Sequence, residues 1–142
     1  MKEDKIFLDT NVIVYAYDAF AGKNHETAMK IMEGLWRSGL GIVSTQVLQE
    51  FFVVVTSKRN NLLDTRTAKE IVSDLLKWNI IVNDGNSILD AIEIQQKHKY
   101  SFWDSMIIES AIRGGASILL SEDLSDGQII EGLKIKNPFL GH

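Results

Sequence analysis

The sequence predicts an α/β domain with a mainly parallel central sheet flanked by helices on both faces. Three observations predict it. Four short runs, at 6–8, 42–43, 79–82 and 117–120, are apolar or β-prone almost throughout instead of alternating, as strands buried on both faces are. Segments with a helical period alternate with these runs along the chain. The 142 residues hold a single proline, Pro138, with no Ser/Gly-rich linker, long charge run or internal repeat, so one domain is expected over 1–142.

The elements follow in order. Ile6-Phe7-Leu8 ends abruptly at Asp9-Thr10-Asn11, a buried strand feeding a helix at 12–18. Asn24 is placed to cap a helix at 25–37, whose apolar face holds Ala28, Ile31, Met32, Leu35 and Trp36; Gly39-Leu40-Gly41 stops it. Ile42-Val43 is a short strand, and Ser44 or Thr45 caps a helix from 46 to about 58. There Val47, Leu48, Phe51, Phe52 and Val55 keep the 3.6 period, although Val53-Val54-Val55 has strand propensity. Asn60-Asn61 breaks that helix, and Asp64 or Thr65 opens another that runs to 77. A strand at 79–82 closes at Asn83-Asp84-Gly85, and helices at 87–98 and 101–113 stop at Gly114-Gly115. A strand at 117–120 and a last one at 133–136 complete the pattern.

Composition narrows the function classes. Apolar residues at 45% and charged ones at 24% exclude disordered, collagen-like and low-complexity chains. No run approaches the ~20 apolar residues of a bilayer span, and the N-terminal apolar run is too brief for a secretory signal. Cysteine is absent, which removes thiol nucleophiles, thiolate metal sites and disulfide scaffolds; a cytoplasmic protein without membrane contact is the expectation. A net charge of −4 argues against a phosphate-binding protein on average. Setting four of the 19 acids aside in one site leaves 15 against 15 Lys and Arg, so a nucleic-acid partner stays open.

In open α/β sheets ligands bind beyond the carboxyl ends of the strands, which singles out the residues there. Asp9 directly follows the first strand, Asp123 follows the strand ending near Leu120, and Asp104 opens a helix. Glu50 has Val47 and Val54 as helical neighbours, a costly setting for a carboxylate without a charged partner. No Lys or Arg lies close to these acids in sequence, so a bound cation is the natural compensation if they converge. Oxygen ligands without His or Cys select a hard ion such as Mg²⁺ or Mn²⁺, which can bridge a phosphate and activate water. Each acid also has a plainer role: Asp9 as a helix cap, Asp104 as a first-turn acid, Asp123 and Asp126 as loop residues beside Gly127, and Glu50 as a solvated edge residue.

Four motifs carry a resemblance that spans essentially the whole chain. Ile6-Phe7-Leu8-Asp9-Thr10-Asn11-Val12, Ser44-Thr45-Gln46-Val47-Leu48-Gln49-Glu50-Phe51, Ser101-Phe102-Trp103-Asp104-Ser105-Met106-Ile107 and Leu120-Ser121-Glu122-Asp123-Leu124 follow in order. Together they resemble the PIN-domain family, and within it the VapC-type toxins of toxin–antitoxin pairs. The resemblance implies a Mg²⁺- or Mn²⁺-dependent endoribonuclease that cleaves single-stranded or loop RNA. It makes Asp9, Glu50, Asp104 and Asp123 the catalytic metal-holding acids, with Asp126 a lesser metal contributor. It makes Thr10, Asn11 and Ser121 groups that orient the carboxylates or receive the phosphate. It also implies a homodimer and a VapB-like antitoxin whose C-terminal segment covers the acidic groove.

Other classes fit less well. A haloacid-dehalogenase-like phosphatase needs a second acid two residues after the first, where Asn11 stands, and a response-regulator receiver needs a pair of acids at the first strand's end. A housekeeping PIN nuclease without antitoxin would share the chemistry. A non-catalytic PIN-like scaffold would typically have lost one of the acids. His25, His98 and His142 lack catalytic spacing and are expected in solvated positions. Trp36, Trp78 and Trp103 suit a core, with Trp103, beside Asp104, also placed to stack on a base. Lys58-Arg59 and Lys97-His98-Lys99 are either ordinary surface or contacts to an RNA backbone.

Overall fold

A computed structural model describes residues 4–140. The elements are β1 (Ile6–Leu8), α1 (Thr10–Ala16), α2 (Lys23–Ser38), β2 (Gly41–Ser44), α3 (Thr45–Thr56), α4 (Thr65–Leu75), β3 (Asn79–Ile81), α5 (Gly85–His98), α6 (Phe102–Arg113), β4 (Ile118–Leu120), β5 (Ile129–Ile130) and β6 (Leu133–Lys136). The six strands form one sheet in the order β3-β2-β1-β4-β6-β5, parallel except for the β5–β6 pair. This is the α/β architecture that the strand runs predict. Among the described residues no helix is long and apolar enough to cross a membrane.

The sheet grows outward in both directions from β1, which pairs with β2 on one side and β4 on the other. Such a reversal opens a crevice at the carboxyl edge. Phe7, Leu8, Ile42, Val43, Leu119 and Ile135 are fully buried from the sheet, and all four residues of β2 are buried, so helices cover both faces. Phe51 from α3 and Ile108 from α6 fill the layers above. Each such side chain contributes about 2–3 kcal/mol relative to exposure.

The local signals mostly act as expected. Ser44, Asp64 and Asp84 cap α3, α4 and α5, and Ser101 caps α6. The helix expected at 12–18 lies two residues earlier, the one expected to reach 77 ends at Leu75, and the one expected at 87 begins at Gly85. Three further details differ. The cap of α2 is Gly22 at φ 62°, two residues before Asn24, because the left-handed glycine turns the chain into the helix and leaves Asn24 inside the first turn. Gly41 does not terminate α2 but opens β2, where an added Cβ would lie 2.5 Å from the Trp78 ring. Strand β5, Ile129–Ile130, falls where the sequence shows no strand period. It pairs with β6 through Glu131-Gly132, both at positive φ, the backbone of a tight two-residue hairpin turn.

Helix α3 settles the conflict in its own sequence. Val53-Val54-Val55 is helical despite its β propensity, because the helix buries Val47, Leu48, Phe51 and Val55 on one stripe. Glu50 therefore sits on the flank of an apolar helix, and that flank faces the ends of β1 and β4.

Candidate active site

The parallel pairing Leu8↔Leu120 brings the residues after β1 and β4 side by side. Asp9 caps α1 and is only 9% exposed. Its Oδ1 accepts from the Thr10 amide at 2.7 Å, and its Oδ2 accepts from the Ser121 hydroxyl at 2.8 Å. The capping role is thus filled, and the same side chain stands where β1 and β4 end side by side. The Thr10 hydroxyl donates to Glu50 Oε1 at 2.8 Å, tying α1 to α3, and Asn11 Nδ2 donates to Asp123 Oδ2 at 3.0 Å. Ser121 Oγ also accepts from the Asp123 amide at 3.3 Å.

Asp9, Glu50, Asp104 and Asp123 line one cavity of about 390 Å³. Thr10, Asn11, Gln46 and Gln49 line it too, with an apolar side made by Val53, Val54, Trp103 and Ile107. Among the described residues no Lys, Arg or His lines it. Burial pushes the Asp9 carboxyl up to about 6; its two hydrogen bonds oppose the rise, and the charges of Glu50 and Asp123 add to it.

Two neighbouring helix starts aim the other acids. Ser44 Oγ accepts from the Val47 amide at 3.2 Å and sets the first turn of α3, two turns before Glu50. Ser101 Oγ accepts from the Asp104 amide at 3.1 Å and sets α6. Asn83, which the sequence marks only as a turn residue, joins these two helices. Its Oδ1 accepts from the Thr45 hydroxyl at 3.0 Å, and its Nδ2 donates to Ser110 Oγ at 2.9 Å. Its place at the end of β3, on the same sheet edge as Asp9, was the available signal. Gln46 is a second residue missed by sequence: it is 7% exposed, its Nε2 donates to the Trp103 carbonyl at 3.4 Å, and its Oε1 has no partner.

The three acids after β4 separate in space. Asp123 lines the cavity, whereas Glu122 accepts from the Tyr15 hydroxyl at 2.7 Å. Burial and that neighbouring carboxylate push the Tyr15 hydroxyl up to about 12. Asp126 accepts from the Asn137 amide at 2.8 Å and lines a different cavity with Lys134 and Lys136. The structure therefore brings together Asp9, Thr10, Asn11, Glu50, Asp104, Ser121 and Asp123, and not Asp126.

The donor set fits a hard divalent cation: carboxylate and amide oxygens, a raised Asp9 and no internal cation to neutralise the acids. Among the described residues no three acidic, His or Cys side chains are already closed around a single point. An ion that keeps several waters and takes one or two carboxylates directly suits that spacing, and such binding is typical of Mg²⁺.

The remaining sequence expectations resolve as follows. His25 Nδ1 lies 2.9 Å from the Tyr15 carbonyl oxygen and is half-buried instead of solvated. His98 is half-buried with an unpartnered Nε2, and His142 lies outside the described residues. Trp78 packs against the core, but Trp36, which meets its ring edge-to-face, is 43% exposed and Trp103 is 63% exposed, so neither of these two is a core residue. Lys58, Arg59, Lys97 and Lys99 are exposed and stand outside the acidic cavity.

The fold agrees with that of known proteins. Three solved structures are similar. VapC20 of Mycobacterium tuberculosis, a toxin that cleaves the sarcin–ricin loop, has a TM-score of 0.64 at 21% identity, covering 83% of this chain and 89% of that one. A toxin–antitoxin complex from Klebsiella pneumoniae has a TM-score of 0.67 at 18% identity, covering 94% and 98%. VapBC2 of Rickettsia felis, bound to a DNA fragment from its promoter, has a TM-score of 0.65 at 21% identity, covering 93% and 97%. At such identities the likeness concerns the fold. No curated protein matches the sequence. The PIN domain profile matches residues 6–125, from the first strand to just past Asp123, and the chain belongs to the PIN-domain family.

Proposed function

We propose that the chain is a Mg²⁺- or Mn²⁺-dependent endoribonuclease of VapC type, cutting single-stranded or loop RNA. The observation that carries this reading is the convergence of four carboxylates, from the end of β1, α3, α6 and the loop after β4, on one cavity that no basic residue lines among the described residues. Asp9, Glu50, Asp104 and Asp123 would hold the ion, which when bound supplies positive charge at the phosphate and eases deprotonation of water. Ser121 and the Thr10 amide keep Asp9 in one rotamer, the Thr10 hydroxyl steadies Glu50, and Asn11 steadies Asp123. The water attacks phosphorus in line, its proton passes to a carboxylate of the cavity, and the ribose 3′-oxygen leaves.

The likeness to a sarcin–ricin-cleaving toxin and to two toxin–antitoxin assemblies supports the further proposal of a VapB-like antitoxin that holds the chain in check, and the family resemblance extends the proposal to a cytoplasmic homodimer. The test of the chemistry is direct. Purified protein should cleave single-stranded RNA in Mn²⁺ or Mg²⁺ and stop in EDTA, while Asp104→Asn stays folded and inactive, because the amide keeps the size and shape but is a poor ligand for a hard ion. Cleavage that survives chelation, or an active Asp104→Asn protein, overturns the reading.

A further inference from the structure

One wall of the acidic cavity is built for something other than phosphate. Trp103 is 63% exposed at the N-terminus of α6, immediately before Asp104, and both line the cavity. An indole left in water at a functional edge forgoes a large burial gain. Its position is nonetheless fixed. The ring packs edge-to-face on Phe102 with centroids 5.1 Å apart, and its backbone carbonyl is bonded by Gln46 from α3. Val53 and Val54 from α3 line the same cavity with further apolar surface, Val53 being 65% exposed. The cavity lining thus combines carboxylates with aromatic and aliphatic surface.

A nucleotide likewise combines a charged phosphate with a flat, weakly polar base. We propose that Trp103 is the stacking platform for the base next to the cut phosphate, an inference that rests on the ribonuclease reading above. The ring can receive only a base that is not already stacked in a duplex, so Trp103 itself carries a preference for unpaired nucleotides. Stacking on an aromatic side chain tolerates every base, because each has a π-face. Gln46 acts as a positioning residue, since it holds the turn that bears the ring against α3.

The experiment compares single-stranded RNAs that are intact or carry one abasic residue on either side of the cut, with wild-type protein, Trp103→Ala and Trp103→Phe, in Mn²⁺. For wild type, an abasic residue on the stacked side should raise KM about 5- to 100-fold with kcat little changed, because stacking binds ground and transition states alike. Trp103→Ala should show that higher KM already with intact RNA and should no longer distinguish the abasic one, whereas Trp103→Phe keeps most of the discrimination. The ring is exposed, so thermal melts of the variants should match wild type. A Trp103→Ala protein that discriminates as wild type does overturns the platform while leaving the nuclease intact, and turns attention to a protein partner for the exposed ring. Failure of wild type to cleave any of these RNAs overturns the ribonuclease reading, and the platform with it.

Discussion

Two buried carboxylates in this fold are treated in opposite ways. Glu109, on the far side of α6 from Asp104, is 4% exposed and is clasped by Arg113 from one turn later. Arg113 Nε donates to Glu109 Oε2 at 2.8 Å and Nη2 to Oε1 at 3.3 Å, with Nη2 also donating to the Val82 carbonyl at 3.0 Å. Asp9, 9% exposed, receives only an amide and a hydroxyl, and its nearest charges are other acids. Burial costs both groups; one is compensated from within the chain and the other is not. Under the proposed function, the difference separates a carboxylate that serves the fold from one that serves a ligand. An acid with its own guanidinium gains nothing from an added ion, whereas an acid facing other acids does.

The largest expected effect lies in activity. Glu50→Gln should reduce RNA cleavage to background and shrink the rise in melting temperature that Mn²⁺ gives, because binding to the native state stabilises by mass action. Glu109→Gln should retain cleavage and the full Mn²⁺ shift. A Glu50→Gln protein with wild-type cleavage and an unchanged Mn²⁺ shift would erase the comparison.

The next effect is in pH dependence. The Asp9 carboxyl is raised from 3.8 to about 6 in the folded state, so folding takes up a proton between those values. Its stabilising contribution is present below the unfolded value and is lost as pH rises through about 6. In chelator, Asp9→Asn should therefore gain about 3 kcal/mol over wild type between pH 4 and pH 8, measured by urea unfolding. Asp64 and Asp84, lowered by the backbone amides they cap, change with pH in the opposite sense but equally in both proteins. Added Mn²⁺ should reverse the ranking at pH 8. A flat difference would mean that Asp9 is not strained by its surroundings.

Smaller still is the cost of opening the compensated pair. Arg113→Met leaves Glu109 buried without its cation; because Arg113 is 37% exposed, the loss should be about 2 kcal/mol, below that of a fully buried pair. Cleavage per folded molecule should be unchanged. Unfolding curves and one activity assay check both halves of this prediction.

Much of this was legible in the sequence. All six helices and the longer strands follow from apolar period and capping residues, and the four acids stand at strand ends, on an apolar helix or at a helix start. What failed did so for local reasons. Asn24 looked like a cap, but a positive-φ glycine starts the helix earlier. A two-residue strand such as β5 has no period to detect, and only the Glu131-Gly132 turn could have signalled it. Trp103 suited a core by hydrophobicity, yet its place at the first turn of α6 leaves it at the rim.

The sequence by itself determined the type and order of most elements and which residues carry charge at the carboxyl edge, because caps and periodicity act within a few residues. Only the tertiary structure decided which acids meet. Asp9 and Ser121 are 112 positions apart, Thr10 and Glu50 are 40 apart, and both contacts depend on β1 lying between β2 and β4. The same packing gave Glu122 to Tyr15 and Asp126 to the Asn137 amide while turning Asp123 toward Asp9. Three acids within five residues look equivalent along the chain. They differ because burial and hydrogen-bond partners are properties of neighbours in space.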